Sequence, residues 1–190
     1  VMVGPSSSQT AGAARIGLIA RQLFGRQPEK ATIYLHGSFA ATGKGHGTDK
    51  ALIAGLLGMM PDDMRIPDSF EVAKAQGMEF EIKNKDIKEA HPNTAQIVME
   101  ADGVPTMKIQ AFSIGGGRIK VCKLDGIDVN FSGESYTLII RNVDEPGRFM
   151  EVAAALSKAE INIATMQVFR DKRGGFAVMV VETDQVAPPA

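Results

Sequence analysis

The sequence predicts an α+β fold: a mixed α/β domain followed by a smaller ferredoxin-like unit that stops at β-α-β-β. Three observations carry this. Helical patterns and a glycine-rich loop crowd the early part of the chain, and alternating β-type segments fill the middle. Beyond the short linker "SGES" comes a strand–helix–strand–strand pattern. The 190 residues suffice for one large or two small domains. The linker sets the boundary, giving residues 1–133 and 134–190.

Ala11 to Arg26 reads as a helix, because Ile16, Ile19, Ala20, Leu23 and Phe24 recur at helical spacing and Gly25 sits near its end. "KATIYLHGSF", Lys30 to Phe39, is rich in β-branched and aromatic residues and reads as a strand. The glycine-rich "ATGKGHGTDK" then leads into an apolar helix, "ALIAGLLGMM". In one of two readings of this loop, Thr48 or Asp49 is simply the N-cap of that helix. A further helix starts near Asp68 or Ser69 and ends around Gln76. From Gly77 the texture changes. "MEFEIKN" alternates as a strand, and a loop through His91-Pro92-Asn93 precedes a strand from Thr94 to Glu100. Two or three more strands follow, broken at Gly115-Gly116-Gly117. In the second unit, "YTLIIRNV" is a strand and "DEPGRFMEVAAALSKAE" a helix opening at Asp144 to Gly147. "INIATMQVFRDK" and "FAVMVVETD" are strands around Gly174-Gly175. A ferredoxin-like unit would add a closing helix and strand.

With 44% hydrophobic and 23% charged residues, the composition is that of a globular protein. A net charge of −1 points away from a nucleic-acid surface. No apolar run reaches the length of a membrane span, and no signal peptide is expected in this sequence. The single cysteine, Cys122, rules out an intramolecular disulfide and fits a reducing compartment. It also cannot by itself hold an iron–sulfur cluster, which usually needs three or four thiolates.

The candidate chemistry lies in loops. His36, His46 and His91 all sit beside turn residues, and imidazole suits proton transfer near neutral pH. The competing reading is three unrelated turn histidines. "GKGHGTD" lacks both the P-loop ending and the Rossmann spacing, which leaves a loop that places His46, Thr48 and Asp49 at a helix start, or a capped turn. "SIGGGR" permits close backbone approach to a ligand or subunit, or makes a tight bend. "VGPSSSQTAG" puts more hydroxyls at a helix start than capping needs, which suits an anion such as a carboxylate. Metal ligation by this chain alone is not expected, since CxxC and His pairs at i, i+4 are missing.

Four stretches, "GPSSSQTAGAARIG", "GSFAATGKGHGTDKA", "HPNTA" and "SIGGGRI", occur in this order, and together they resemble the β-chain of the two-chain, iron–sulfur-dependent bacterial L-serine dehydratases. The segment from "YTLIIRNV" to "MQVFR" resembles an ACT domain. The resemblance implies a first domain like the allosteric-substrate-binding domain of some phosphoglycerate dehydrogenases. It implies an L-serine ammonia-lyase, active only with its α-chain, that turns L-serine into pyruvate and ammonia in serine catabolism and gluconeogenesis. The 4Fe-4S cluster would be held by the α-chain, with no metal ligand in this chain. His46 and His91 would be catalytic. Ser6, Ser7, Ser8, Thr10, Thr48, Asp49 and Asn93 would bind substrate, the hydroxyls holding its carboxylate. Asn142, Asp144, Gly147 and Asn162 would serve an ACT ligand. A cytoplasmic homo- or hetero-oligomer, with neither nucleic acid nor membrane as partner, is expected. The chain departs from the family at Gln9, where the usual form has histidine. An amide donates and accepts hydrogen bonds but cannot shuttle a proton. The alternative function is a non-catalytic regulator that binds L-serine or another amino acid.

Overall fold

Apolar residues at helical spacing, interrupted by glycines, give the first helix, and β-branched alternation gives the first strand. The computed structural model describes residues 7–43 and 47–187. Helix α1 spans Ser7–Phe24 and β1 Lys30–Leu35. They are followed by α2 (Gly37–Thr42), α3 (Thr48–Leu56) and α4 (Ser69–Ala75). Strands β2 (Glu79–Asn84), β3 (Thr94–Glu100), β4 (Met107–Gly115), β5 (Arg118–Leu124) and β6 (Ile127–Phe131) come next. The chain ends in β7 (Tyr136–Val143), α5 (Arg148–Lys158), β8 (Ile163–Arg170) and β9 (Phe176–Thr183). It divides into two compact units, Val1–Asp125 and Gly126–Ala190.

In the first unit the strands run in the order β2-β1-β3-β4-β5. β1 and β2 are parallel, and the other pairs are antiparallel. Residues of one sheet face, among them Ile33, Ile97, Ile109 and Val121, are fully buried. α1 packs on β4 and on α3. That crossing is made by glycines. A Cβ on Gly17 would collide with the Leu52 carbonyl, and one on Gly55 with the Ala14 carbonyl. Arg21 closes the same junction, donating from its guanidinium to the Leu56 carbonyl at 3.0 Å and to Gln27 Oε1 at 2.9 Å.

One expected strand is shorter than its composition suggests. Phe39 is apolar and β-prone, yet β1 ends at Leu35 and Phe39 is buried within α2. Gly37, at φ 59°, turns the chain, and His36 holds the extended N-cap position. The left-handed turn ends the strand, and Phe39 reaches the core from a helix instead.

The second unit contains β7-α5-β8-β9, with sheet order β7-β9-β8 and both pairs antiparallel. Its core gathers Leu156, Ile161, Met179 and Val181, flanked by Leu138, Ile140, Val152 and Met166. Leu156 and Val152 lie one helical turn apart on α5, which is why that face turns to the sheet. Among the described residues no helix is long and apolar enough to cross a membrane.

Candidate active site

The start of α1 is tied to α2 by a side chain. Gln9 Nε2 donates to Thr42 Oγ1 at 3.3 Å, and that hydroxyl donates to the Ser38 carbonyl at 2.6 Å. Thr10 is buried beside Gln9. Ser7 and Ser8 form the first residues of α1. Ser6 and His46 lie outside the described residues.

Backbone hydrogen bonds bring the His91 loop to the same place. Ser38 N–H donates to the Pro92 carbonyl at 2.7 Å, and His36 N–H to the Thr94 carbonyl at 3.1 Å. Ser113 N–H donates to the Asn93 carbonyl at 3.0 Å. Two glycines make this approach possible. A Cβ on Gly37 would strike Pro92, and one on Gly12 would strike Ser113 Oγ. The start of α1, α2, the His91–Asn93 loop and the end of β4 therefore meet. They come from sequence positions as far apart as 9 and 113.

The histidines divide in role. His91 Nδ1 accepts the Asn93 N–H at 3.1 Å, and its ring stacks on Phe112. Among the described residues no hydrogen bond is made by Nε2, the nitrogen that carries the proton of the neutral ring when Nδ1 accepts, which leaves it to donate to a ligand. Asn93 thus has its backbone N–H spent on orienting the imidazole. His36 Nδ1 accepts the Ile87 N–H at 3.0 Å. The Asp86 carboxylate is 3.5 Å from the same nitrogen, but a nitrogen that accepts an N–H has no proton to give it. His36 pins the chain after β2 to the end of β1.

At α3 the expected cap is replaced. Gly47, at φ 75°, is the N-cap, and Thr48 and Asp49 are already in the helix. Glycine takes this position because it adopts the left-handed conformation without steric cost. Thr48 is fully buried, and its Oγ1 has no hydrogen-bond partner among the described residues. Leaving a buried hydroxyl unpaired costs about 1–3 kcal/mol, so a group that accepts or donates there is worth that much to a ligand. Asp49 Oδ1 accepts the Lys50 N–H at 2.8 Å. Its side chain lines a cleft of about 520 Å³ with Leu35, Gly43, Phe70, Phe80 and Asn84. Leu35 and Asn84 are paired at the carboxyl ends of the two parallel strands, the position where open α/β sheets hold ligands.

Sequence reasoning passed over Ser38, Thr42 and Phe112. Thr42 and Ser38 stand in a quoted motif, but Gln9 lies 33 residues from Thr42, so no local spacing signals the contact. Phe112 looks like any strand aromatic until its pairing opposite Thr94 puts it beside the His91 loop.

In the second unit the four expected ligand residues are separately engaged. Asn142 lines a pocket of about 230 Å³ with Arg148 and Glu151, and its Oδ1 is buried with no partner among the described residues. The Asp144 carboxylate accepts the Gly174 N–H at 3.0 Å and an Arg170 N–H at 2.9 Å. These bonds, the Gly174 N–H first, hold its carboxyl below the usual carboxylate range. Gly147 is the left-handed N-cap of α5, and Asn162 donates to Asp184.

Residues 1–78 match the family model described as serine dehydratase beta chain, and residues 136–190 match the ACT domain model. A probable L-serine dehydratase beta chain of Bacillus subtilis (strain 168) is 44% identical over 97% of this chain and 84% of its own length. This chain belongs to the serine dehydratase β-chain family. A second family member, the L-serine dehydratase beta chain of Peptoniphilus asaccharolyticus, is 37% identical over the same shares. The likeness extends to a D-3-phosphoglycerate dehydrogenase of Methanocaldococcus jannaschii, 32% identical over 56% of this chain and 20% of that enzyme. The β-chain family and its ACT domain thus account for both ends of the sequence.

Proposed function

We propose that this chain is the β-subunit of a two-chain L-serine dehydratase, a carbon–oxygen lyase that converts L-serine to pyruvate and ammonia. The observation that supports the reading best is the meeting of the α1 start, α2, the His91 loop and the end of β4, since these are the segments that resemble the family. In this reading Ser6, Ser7, Ser8 and Thr10 hold the substrate carboxylate at the start of α1, where the helix dipole and free N–H groups favour an anion. Thr48, Asp49 and Asn93 complete the substrate site, and His46 and His91 exchange protons with the substrate. The relatives' names, as beta chains, support an α-chain partner.

The donor set here does not suit a 4Fe-4S cluster. Cys122 lies in β5 with its Sγ 3.4 Å from the Gln110 carbonyl. Among the described residues no three His, Cys, Asp or Glu side chains gather as a metal set. We assign the cluster to the α-chain, the enzyme to the cytoplasm, and residues 134–190 to a regulatory ACT domain with Asn142, Asp144, Gly147 and Asn162 as its effector residues. Asn142 and Asp144 lie at one end of the β7-β9-β8 sheet and Asn162 at the other, so one chain does not close all four around a single molecule. Anaerobic co-expression with the α-chain, followed by a pyruvate assay on L-serine, tests the reading. Pyruvate formation that needs both chains supports it. L-serine binding without pyruvate from the assembled, cluster-loaded complex would favour a purely regulatory protein.

A further inference from the structure

We propose that Gln9 and Thr42 form a positioning pair that sets the hydroxyl-rich start of α1 against the His91 loop, an inference that rests on the dehydratase reading above. The path is continuous. Gln9 Nε2 donates to Thr42 Oγ1, Thr42 Oγ1 donates to the Ser38 carbonyl, and Ser38 N–H donates to the Pro92 carbonyl, one residue from His91. Ser38 contributes both of its backbone polar groups, so a shift of α2 is felt at both ends.

Thr42 suits the junction chemically. A hydroxyl has one proton and two lone pairs. Here the proton goes to Ser38, and a lone pair takes the Gln9 N–H. A side chain without an oxygen at position 42 breaks both links. An amide does not ionise near neutral pH and so is no general acid or base; what Gln9 supplies is a donor held in a fixed direction. Its effect reaches the substrate through the neighbouring serines, which makes it a positioning residue. The structure also shows why α2 is the coupling element. It is a short helix whose first residue, Gly37, is pressed against Pro92 with no room for a Cβ, while Thr42 at its other end meets α1.

The test compares Thr42→Val, which keeps the shape and removes the hydroxyl, with Thr42→Ser, which keeps the hydroxyl. In the assembled two-chain enzyme, Thr42→Val should raise the KM for L-serine about tenfold with kcat within about twofold, the signature of weakened binding that is uniform along the reaction. Thr42→Ser should return KM to within about twofold of the parent, and the pH profile of kcat should not move. Damage to the fold would instead lower the active fraction, and with it kcat, at constant KM. In the β-chain alone, the Gln9 side-chain amide resonances should be displaced from those of a water-exposed glutamine in the parent and in Thr42→Ser. They should return there in Thr42→Val. An unchanged KM in Thr42→Val, a failure of Thr42→Ser to restore it, or Gln9 resonances that are identical in all three proteins would overturn the proposal. A parent complex that binds its cluster but makes no pyruvate would instead overturn the dehydratase reading, and the resonances would still decide the pairing.

Discussion

The His91 ring lies nearly flat on Phe112, with centroids 4.8 Å apart and planes inclined by 16°. Stacking fixes the plane of the imidazole, and the Asn93 N–H fixes its Nδ1 edge. Together they aim Nε2. If Nε2 carries a proton in turnover, His91→Ala should lower kcat of the assembled enzyme by about a hundredfold or more. Stability should change little, because His91 is an exposed loop residue. Phe112→Leu keeps an apolar side chain and loses the stacking plane, so a smaller fall, about threefold to tenfold, is expected. Steady-state kinetics on both variants check this, and full activity in His91→Ala would remove the residue from the site.

Cys122 should be a bystander in cluster chemistry. Its neighbourhood is a strand irregularity, where the β4–β5 register shifts between Gln110 and Ala111. Reconstitution of the isolated chain with iron and sulfide under anaerobic conditions should leave no cluster absorbance after desalting. Cys122→Ser should leave the cluster content of the two-chain enzyme unchanged. A stoichiometric cluster on the isolated chain would count against this assignment.

Gly55→Ala should destabilise the first unit. Alanine gains up to about 1 kcal/mol in helix propensity over glycine. The added methyl meets the Ala14 carbonyl and the backbone of Leu18 and Gly17, none of which can swing aside as a flexible side chain would. Overpacking of this kind costs about 1–3 kcal/mol, so steric cost wins. Thermal melting should show a lower Tm, whereas the same change at Gly77, where nothing surrounds the Cβ position, should show mainly the strain of its positive φ.

Much of this was legible before the structure. Long strands such as Thr94–Glu100 and Tyr136–Val143 alternate cleanly or run apolar between turn residues, and local pattern is what determines them. The shortened β1 was not legible, because Phe39 has strand propensity and only the packing of Gly37 on Pro92 sends it into a helix. The Gly47 cap was hidden for a similar reason, since Thr48 is a good cap residue that is instead taken wholly into the interior. In the site, residue types were readable and partners were not. Gln9 with Thr42, and His91 with Phe112, join segments that only sheet pairing and helix crossing bring together.

Asp144 gives the second unit a defined response to acid. Its carboxyl is held below the ordinary value of 3.8, first by the Gly174 N–H and then by Arg170. A folded-state pKa below the unfolded one means the stabilisation is complete above the unfolded value and is lost as pH falls through the folded one. Asp144→Asn should therefore melt below the parent near neutral pH; the difference should begin to shrink as pH falls below about 4 and close only once the pH is below the lowered folded-state value. A difference that persists unchanged into stronger acid would show that the ionised form is not what matters.

The outer edge of β7 has no partner strand in the β7-β9-β8 sheet of the described residues. Exposed strand edges seek partners. Light scattering should accordingly find the chain self-associating as its concentration rises, and a monomer at high concentration would count against it.

The glycine crossing of α1 and α3 also bears on the tilt of α1. From Gly17 to Ser7 is ten residues, an arm of about 15 Å at the rise of an α-helix. A tilt of about 4° at the crossing carries the tip of that arm through about 1 Å, a displacement that can cost a reaction roughly a hundredfold. Aim at the serine end therefore depends on this crossing, where the carbonyls of Leu52 and Ala14 leave no space for a methyl group, together with the contacts nearer the tip at Gly12 and Gln9. Small substitutions there should misdirect the arm, and turnover should register the error at changes too slight to unfold the protein.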